Sequence, residues 1–221
     1  MANHKKKNKT HRRVGAIMTR SDIPYAQRMA MKLQHDIVAN REHSAKITLF
    51  CMSISMNRIY GIGYKRLVRF SHTFKTINDE FYDDIEMGMA HAKHRMEQIG
   101  MPISGEFFAV DFSDKSKRDR AIAGHSLHAV QVALICGTIA MNEEFGLGKD
   151  KLTKIQETVN ELTARYAKEG EGFLLEEMRK LGFIIIDNTV ICCVDQDNEP
   201  VSAKRAIEEG YLDAYISKKE L

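Results

Sequence analysis

An internal repeat limits what this chain can fold into more than any other feature of its sequence. Residues 43–70 lie on residues 128–155 at an offset of 85 with no gap. The identical pairs are His43/His128, Leu49/Leu134, Cys51/Cys136, Ile54/Ile139, Met56/Met141, Asn57/Asn142, Gly61/Gly146, Gly63/Gly148 and Leu67/Leu152. These nine identities in 28 positions exceed the roughly two that ordinary composition gives. Tyr60/Phe145, Ile62/Leu147, Arg66/Lys151 and Arg69/Lys154 are conservative pairs, and after a short gap Met96 to Gly100 matches Met178 to Gly182. A period near 85 is too long for a stacked solenoid unit, so each copy is expected to be a subdomain with several elements.

The pattern predicts a mainly α (α+β) fold of two pseudo-symmetric repeats, each a helix, a Gly-x-Gly turn, a helix and a short β-hairpin. The expected boundaries are a basic flexible arm over 1–20, a first repeat over 21–114 and a second over 115–221. Ser21 or Asp22 offers an N-cap ahead of Pro24, followed by Met29, Leu33 and Ile37 at helical spacing. In the second copy strands are expected over 183–186 and 190–194, turned by Asp187-Asn188, with a weaker equivalent over 105–112. A last helix over 202–216 would match the segment near Lys115 that links the copies. On a helical wheel His43, Ile47, Phe50, Cys51, Ile54 and Asn57 share one face, while Leu49, Met52, Met56 and Ile59 occupy much of the other. A helix apolar on both faces is buried from two sides, and the two central helices are expected to meet at a pseudo-two-fold axis.

Charge is divided unevenly. The net +3 conceals an acid-free stretch, residues 1–20, that carries Lys5, Lys6, Lys7, Lys9, Arg12, Arg13 and Arg20. Beyond it 26 basic and 30 acidic residues remain, so a cationic arm precedes a mildly acidic body. That asymmetry points to a polyanion contact, the alternative being a merely solubilising terminus. No window approaches the roughly 20 apolar residues of a membrane span and the start lacks a secretion signal, so a cytoplasmic setting and no membrane partner are expected. Cys51, Cys136, Cys192 and Cys193 contain no Cys-x-x-Cys pair and read as reduced, buried thiols.

Gly61-Ile62-Gly63 and Gly146-Leu147-Gly148 each join two helices. They resemble the core of the helix–hairpin–helix DNA-binding motif over about a dozen residues per copy, although the copies lie farther apart than in compact paired forms of that motif. A glycine takes the left-handed conformation that ends a helix, and the next helix then presents backbone N–H groups to a phosphate. Lys65, Arg66 and Arg69 follow the first turn and Lys149, Lys151 and Lys154 the second, as a sequence-independent backbone grip requires. The plainer reading is that the glycines only terminate one helix and start another. A phosphate loop or dinucleotide fingerprint is disfavoured because a helix, not a strand, precedes each turn.

His43/His128 and Asn57/Asn142 form a repeated polar set on an apolar stripe. A metal site there would lack acids at ligand spacing, so structural hydrogen bonding or capping is the expected role, with no metal and no cofactor. The acids Asp79, Glu80, Asp83, Asp84 and Glu86 alternate with Phe81, Tyr82 and Ile85 and read as a solvated helix face. No paired base and nucleophile is legible, so an enzyme is not expected.

Arg41-Glu42-His43, the apolar helix, Met56-Asn57, Gly61-Ile62-Gly63 and Lys65-Arg66-Leu67 resemble small uncharacterised proteins encoded by bacteriophages and prophages of Gram-positive bacteria, which often carry one copy after a short basic start. The resemblance implies an accessory or regulatory role inside a bacterial host cell and transfers no catalytic residue. Two partners are therefore expected in order: nucleic acid, either DNA or RNA, held by the arm and the helix starts after the glycine turns; or a host protein, held by the acidic helix near Asp79 to Glu86.

Overall fold

The structure is a computed structural model that describes residues 24–103, 116–186, 189–191, 193, 200–201 and 203–209. It is mainly helical. Among the described residues the helices are α1 (Tyr25–Tyr60), α2 (Tyr64–Asp83), α3 (Ile85–Ile99), α4 (Lys117–Phe145), α5 (Lys149–Glu169), α6 (Gly172–Lys180) and α7 (Ala203–Glu208). Strands β1 (Ile184–Ile186) and β2 (Thr189–Ile191) lie between α6 and α7 and pair antiparallel, Ile185 opposite Val190. The hairpin expected over 105–112, the turn residues Asp187 and Asn188, the caps Ser21 and Asp22, and the arm with Lys5, Lys6, Lys7, Lys9, Arg12 and Arg13 lie outside the described residues.

Two long central helices organise the molecule. Asp36 near the start of α1 pairs with Arg118 at the start of α4, and farther along Met52 packs over Gly137, so the two helices run parallel. A methyl group at Gly137 would overlap the Met52 sulfur, so the bare glycine makes room for the Met52 side chain. Around this pair the remaining helices are exchanged. The amphipathic α2 packs on α4, and α5 packs on α1; likewise α3 meets α4 and α6 meets α1. Both α2 and α5 run antiparallel to the helix they cover. Arg66, Thr73 and Phe81 of α2 approach Phe145, Glu144 and Ile139 of α4, while Lys151, Thr163 and Tyr166 of α5 approach Tyr60, Cys51 and His43 of α1.

This exchange explains the two-sided apolar pattern of α1. Ile47, Phe50, Cys51, Met52, Ile54 and Met56 are all buried, some against α4 and some against α5. In α4, Val132, Ala133, Ile135, Cys136, Ile139, Ala140 and Met141 are buried in the same way. One cluster unites all of them with Leu67, Phe70, Phe74, Phe81, Leu152, Ile155, Leu162 and Leu174, so the first and last parts of the chain share a core. Sequence reading needs correcting at α4, which is by length and composition apolar enough to cross a membrane. Its apolarity matches its central position, because a helix covered on several sides has no polar face to keep.

The amphipathic stretch after each glycine turn is two helices, not one. Asp84 separates α2 from α3 and caps α3 by accepting from Glu86 N and Met87 N, both at 3.1 Å. Gly88 then lies so close to α2 that a methyl group there would sit 2.6 Å from the Phe81 carbonyl oxygen. In the later part of the chain Gly170, at φ 79°, makes the corresponding break.

A candidate nucleic-acid interface at the glycine-turn end

Because α1 and α4 are parallel, both glycine turns and the first residues of α2 and α5 lie at one end of the bundle. The turns have closely similar geometry. Gly61 (φ 63°, ψ 26°) and Gly146 (φ 63°, ψ 28°) end their helices in the left-handed region, each donating its N–H to the asparagine four residues back, at 2.8 and 2.7 Å. Those asparagines complete the turn: Asn57 Nδ2 donates to Ile62 O at 3.2 Å and Asn142 Nδ2 to Leu147 O at 3.0 Å. Ile62 and Leu147 insert into the core, leaving the glycines on either side exposed. Gly63 (φ −86°) and Gly148 (φ −81°) are the N-caps of α2 and α5, whose carbonyls accept from Leu67 N and Leu152 N at 3.1 Å. Neither helix start has a side chain capping it.

The six cations singled out after the turns, Lys65, Arg66, Arg69, Lys149, Lys151 and Lys154, are all exposed, and they come from both parts of the chain. Two are held by reciprocal contacts with aromatic rings. The Arg66 guanidinium lies 4.9 Å from the centre of the Phe145 ring, and Lys151 Nζ lies 6.0 Å from that of Tyr60. Tyr60 also donates its hydroxyl hydrogen to Lys151 O at 3.3 Å. Arg69 is committed to Glu144, with Nε 3.4 Å from Oε1. The two starts differ in acid content, since Asp150 stands in the first turn of α5 and no acid stands in that of α2.

Elsewhere the polar set has structural partners. His43 Nε2 and the Tyr166 hydroxyl are 2.8 Å apart, joining α1 to α5. For His128, burial first, then the charge of Arg41, lowers the pKa from the ordinary histidine value. Burial pushes the Cys51 thiol up to about 11 and the Cys136 thiol up to about 12, so both stay protonated and unreactive near neutrality. Among the described residues no group of three or more His, Cys, Asp or Glu side chains converges on a point. Of the acidic run, Asp79 pairs with Lys75, Glu80 with Arg95 at 3.4 Å, and Asp84 serves as a cap. Sequence reading missed the aromatic seats: Tyr60/Phe145 was visible as a conservative pair, but nothing along the chain says that each faces the other turn's cation.

No known protein family, curated protein or solved structure matches this chain.

Proposed function

We propose that the chain is a duplicated unit whose two glycine turns act together as a sequence-independent grip on a nucleic-acid backbone, in an accessory or regulatory role of the kind found in phage-encoded proteins. The observation that carries this reading is the pair Gly63 and Gly148. Gly61 and Gly146 have a steric reason to be glycine, because φ near 63° disfavours any side chain. Gly63 and Gly148 have no such strain: their φ values are ordinary, and beyond their chain neighbours no described residue lies within 4 Å of where a Cβ would stand at either. What a side chain there would obstruct is the approach of an outside group to the uncapped starts of α2 and α5. A phosphate is the group such a start attracts, and Lys65, Arg66, Lys149 and Lys151 surround it.

The test follows from the same fact. Gly63→Ala with Gly148→Ala should cost about 1 kcal/mol or less of stability per site, yet lower affinity for a fluorescent duplex or single strand at low salt by tenfold or more. Arg66→Ala with Lys151→Ala should flatten the salt dependence, by about 0.7 to 0.9 in slope for each phosphate contact removed. Unchanged binding in the double glycine variant would sink the reading.

A second reading rests on the corner between α2 and α3, where Ile85 and Met87 are exposed beside Asp83, Asp84 and Glu86. Exposed apolar side chains ringed by acids suit a basic, apolar partner protein. Stoichiometric capture of one host protein, lost in Ile85→Asp with Met87→Asp, would favour it over the nucleic-acid reading.

A further inference from the structure

Aligning the two parts of the chain places Met52 at the position of Gly137 and Arg58 at that of Glu143. The match of Met96–Gly100 with Met178–Gly182 likewise places Arg95 at the position of Glu177. That second match is also one of geometry. Gly100 (φ 80°) and Gly182 (φ 97°) end α3 and α6 with the same pair of bonds: Gly100 N to Glu97 O and Gly182 N to Arg179 O, both 2.9 Å, and Met101 N to Met96 O (2.9 Å) and Phe183 N to Met178 O (3.2 Å). All three differing pairs fall where the two parts of the chain touch. Met52 lies against Gly137, its own counterpart, as a residue on a two-fold axis must. Arg58 of α1 pairs with Glu177 of α6 at 2.6 Å, and Glu143 of α4 pairs with Arg95 of α3 at 3.7 Å. These two ion pairs are the same contact made twice, with the charges reversed. Each also has a neighbour from its own part of the chain: Lys180 on Glu177 at 2.8 Å, and Glu80 on Arg95 at 3.4 Å.

We infer that residues 24–103 and 116–209 are two diverged protomers of one intertwined dimer, each built to accept the other and to refuse a second copy of itself. Two first halves would set Met52 against Met52, where one flexible side chain already occupies the space over Gly137, and Arg58 against Arg95. Two second halves would leave a gap between Gly137 and Gly137 and set Glu143 against Glu177. Size and charge thus select the same pairing by independent means, which is how specificity against a near-identical competitor is obtained. Because each half's outer helices cover the other half's central helix, the link over 104–115 is not needed to hold the bundle together. The repeat is therefore an obligate unlike pair, whatever ligand its glycine turns take.

The experiment uses the whole chain with a protease site inserted between Ser104 and Lys115, cut after folding. The fragments should remain a one-to-one complex by native mass spectrometry, with undiminished helical signal. After unfolding and refolding together, they should return only as the mixed pair. Arg95→Glu with Glu143→Arg keeps both ion pairs of the mixed complex but makes each half complementary to itself in charge. This variant should raise the like-with-like fraction on the order of tenfold, and adding Met52→Ala should raise it again. In the uncut chain Arg95→Glu alone should lower the melting temperature and Glu143→Arg should restore it, a readout that needs no refolding. Separation of the cut fragments into folded monomers would overturn the inference. So would a wild-type refolding mixture rich in like pairs, or failure of Glu143→Arg to rescue Arg95→Glu.

Discussion

Tyr64 and Lys149 stand at the same step after their glycine turns, each the first residue of its helix, and they face different surroundings. Tyr64 is an anchor. Its ring meets Phe183 edge-on at 4.9 Å and rests on Gly182, and its hydroxyl both accepts from Cys193 N at 2.8 Å and donates to Cys193 O at 3.4 Å. It thereby ties the start of α2 to the chain that leaves α6 and passes through the hairpin. Lys149 makes no such anchor among the described residues: its Cδ passes close to Gly100, and it borders an open cleft of about 290 Å³ lined by Met96, Pro102, Leu134, Thr138 and Thr153. The two turns share a backbone to within a few degrees and differ in what their first side chains hold. What the two stretches share is the turn itself, whose geometry few sequences can make, while the positions around it differ in their contacts.

The largest expected effect separates the two corners that follow those turns. At the first corner Gly88 sits against the Phe81 backbone, which cannot yield as a side chain can, so Gly88→Ala must push α3 away from α2. A loss of about 3 kcal/mol in chemical denaturation is expected, at the upper end of the usual cost of overpacking. At the second corner Gly170 (φ 79°, ψ −170°) has open space where a Cβ would go but a backbone conformation that essentially only glycine adopts, so Gly170→Ala should cost backbone strain alone, about 1 to 3 kcal/mol. A loss at Gly88 of less than about 1 kcal/mol would mean that the close approach of α2 and α3 is not a constraint.

Tyr64 and Lys149 themselves come next. Tyr64→Lys removes two hydrogen bonds and an edge-on aromatic contact, and about 2 kcal/mol should be lost. Amide exchange at Ile184 to Ile186 and at Val190 and Ile191 should accelerate by more than the global loss explains, because those strands lose their tie to α2. Lys149→Tyr disturbs no comparable anchor and should leave stability within about 0.5 kcal/mol of wild type. If strand exchange in Tyr64→Lys only follows global unfolding, the anchor is not what holds the hairpin.

These contrasts also show which parts of the structure the sequence could disclose. Identity between copies located the glycine turns, the asparagines that close them and the doubly buried central helices, because each is a local requirement satisfied by particular residue types. The break at Asp84 was less legible: an acid within an acidic, amphipathic run looks like one more residue of a solvated face unless its carboxylate is known to cap Glu86 and Met87. Exchange of the outer helices left no signal along the chain, since a helix buries the same stripe whichever central helix covers it. Met52/Gly137 and Arg58/Glu143 counted as mismatches in the repeat, yet Met52 lies against Gly137, Arg58 pairs with Glu177 and Glu143 pairs with Arg95. Difference between copies carried information that a search for similarity discards. Of the proposed interface, the cations Lys65, Arg66, Arg69, Lys149, Lys151 and Lys154 were readable from spacing. Their gathering at one end follows only from α1 and α4 being parallel, and the commitment of Arg69 to Glu144 only from α2 lying on α4.

The smallest expected effect tests whether the two reversed ion pairs also differ in strength. Glu177 receives hydrogen bonds from Arg58 and from Lys180, and these, the Arg58 bond first, hold its carboxyl below the ordinary value of 4.5. A carboxylate whose folded value is depressed adds stability that is complete above the unfolded value and disappears as the pH falls through the folded one. The Glu177 side chain is 23 % exposed, so screening keeps the contribution small, and Glu177→Gln should cost about 1 kcal/mol or less at pH 7. Glu143, at 3.7 Å from Arg95 and 43 % exposed, makes the looser version of the same contact, so Glu143→Gln should cost less at the same pH. Urea midpoints of the wild type and both variants, followed from pH 7 into acid, distinguish the two. The gap between wild type and Glu177→Gln should hold constant down to about the unfolded value and close below it. A gap that stays open in acid would show that glutamine disturbs packing rather than an ion pair, and a larger loss at Glu143 than at Glu177 would reverse the ranking that the distances and exposures give.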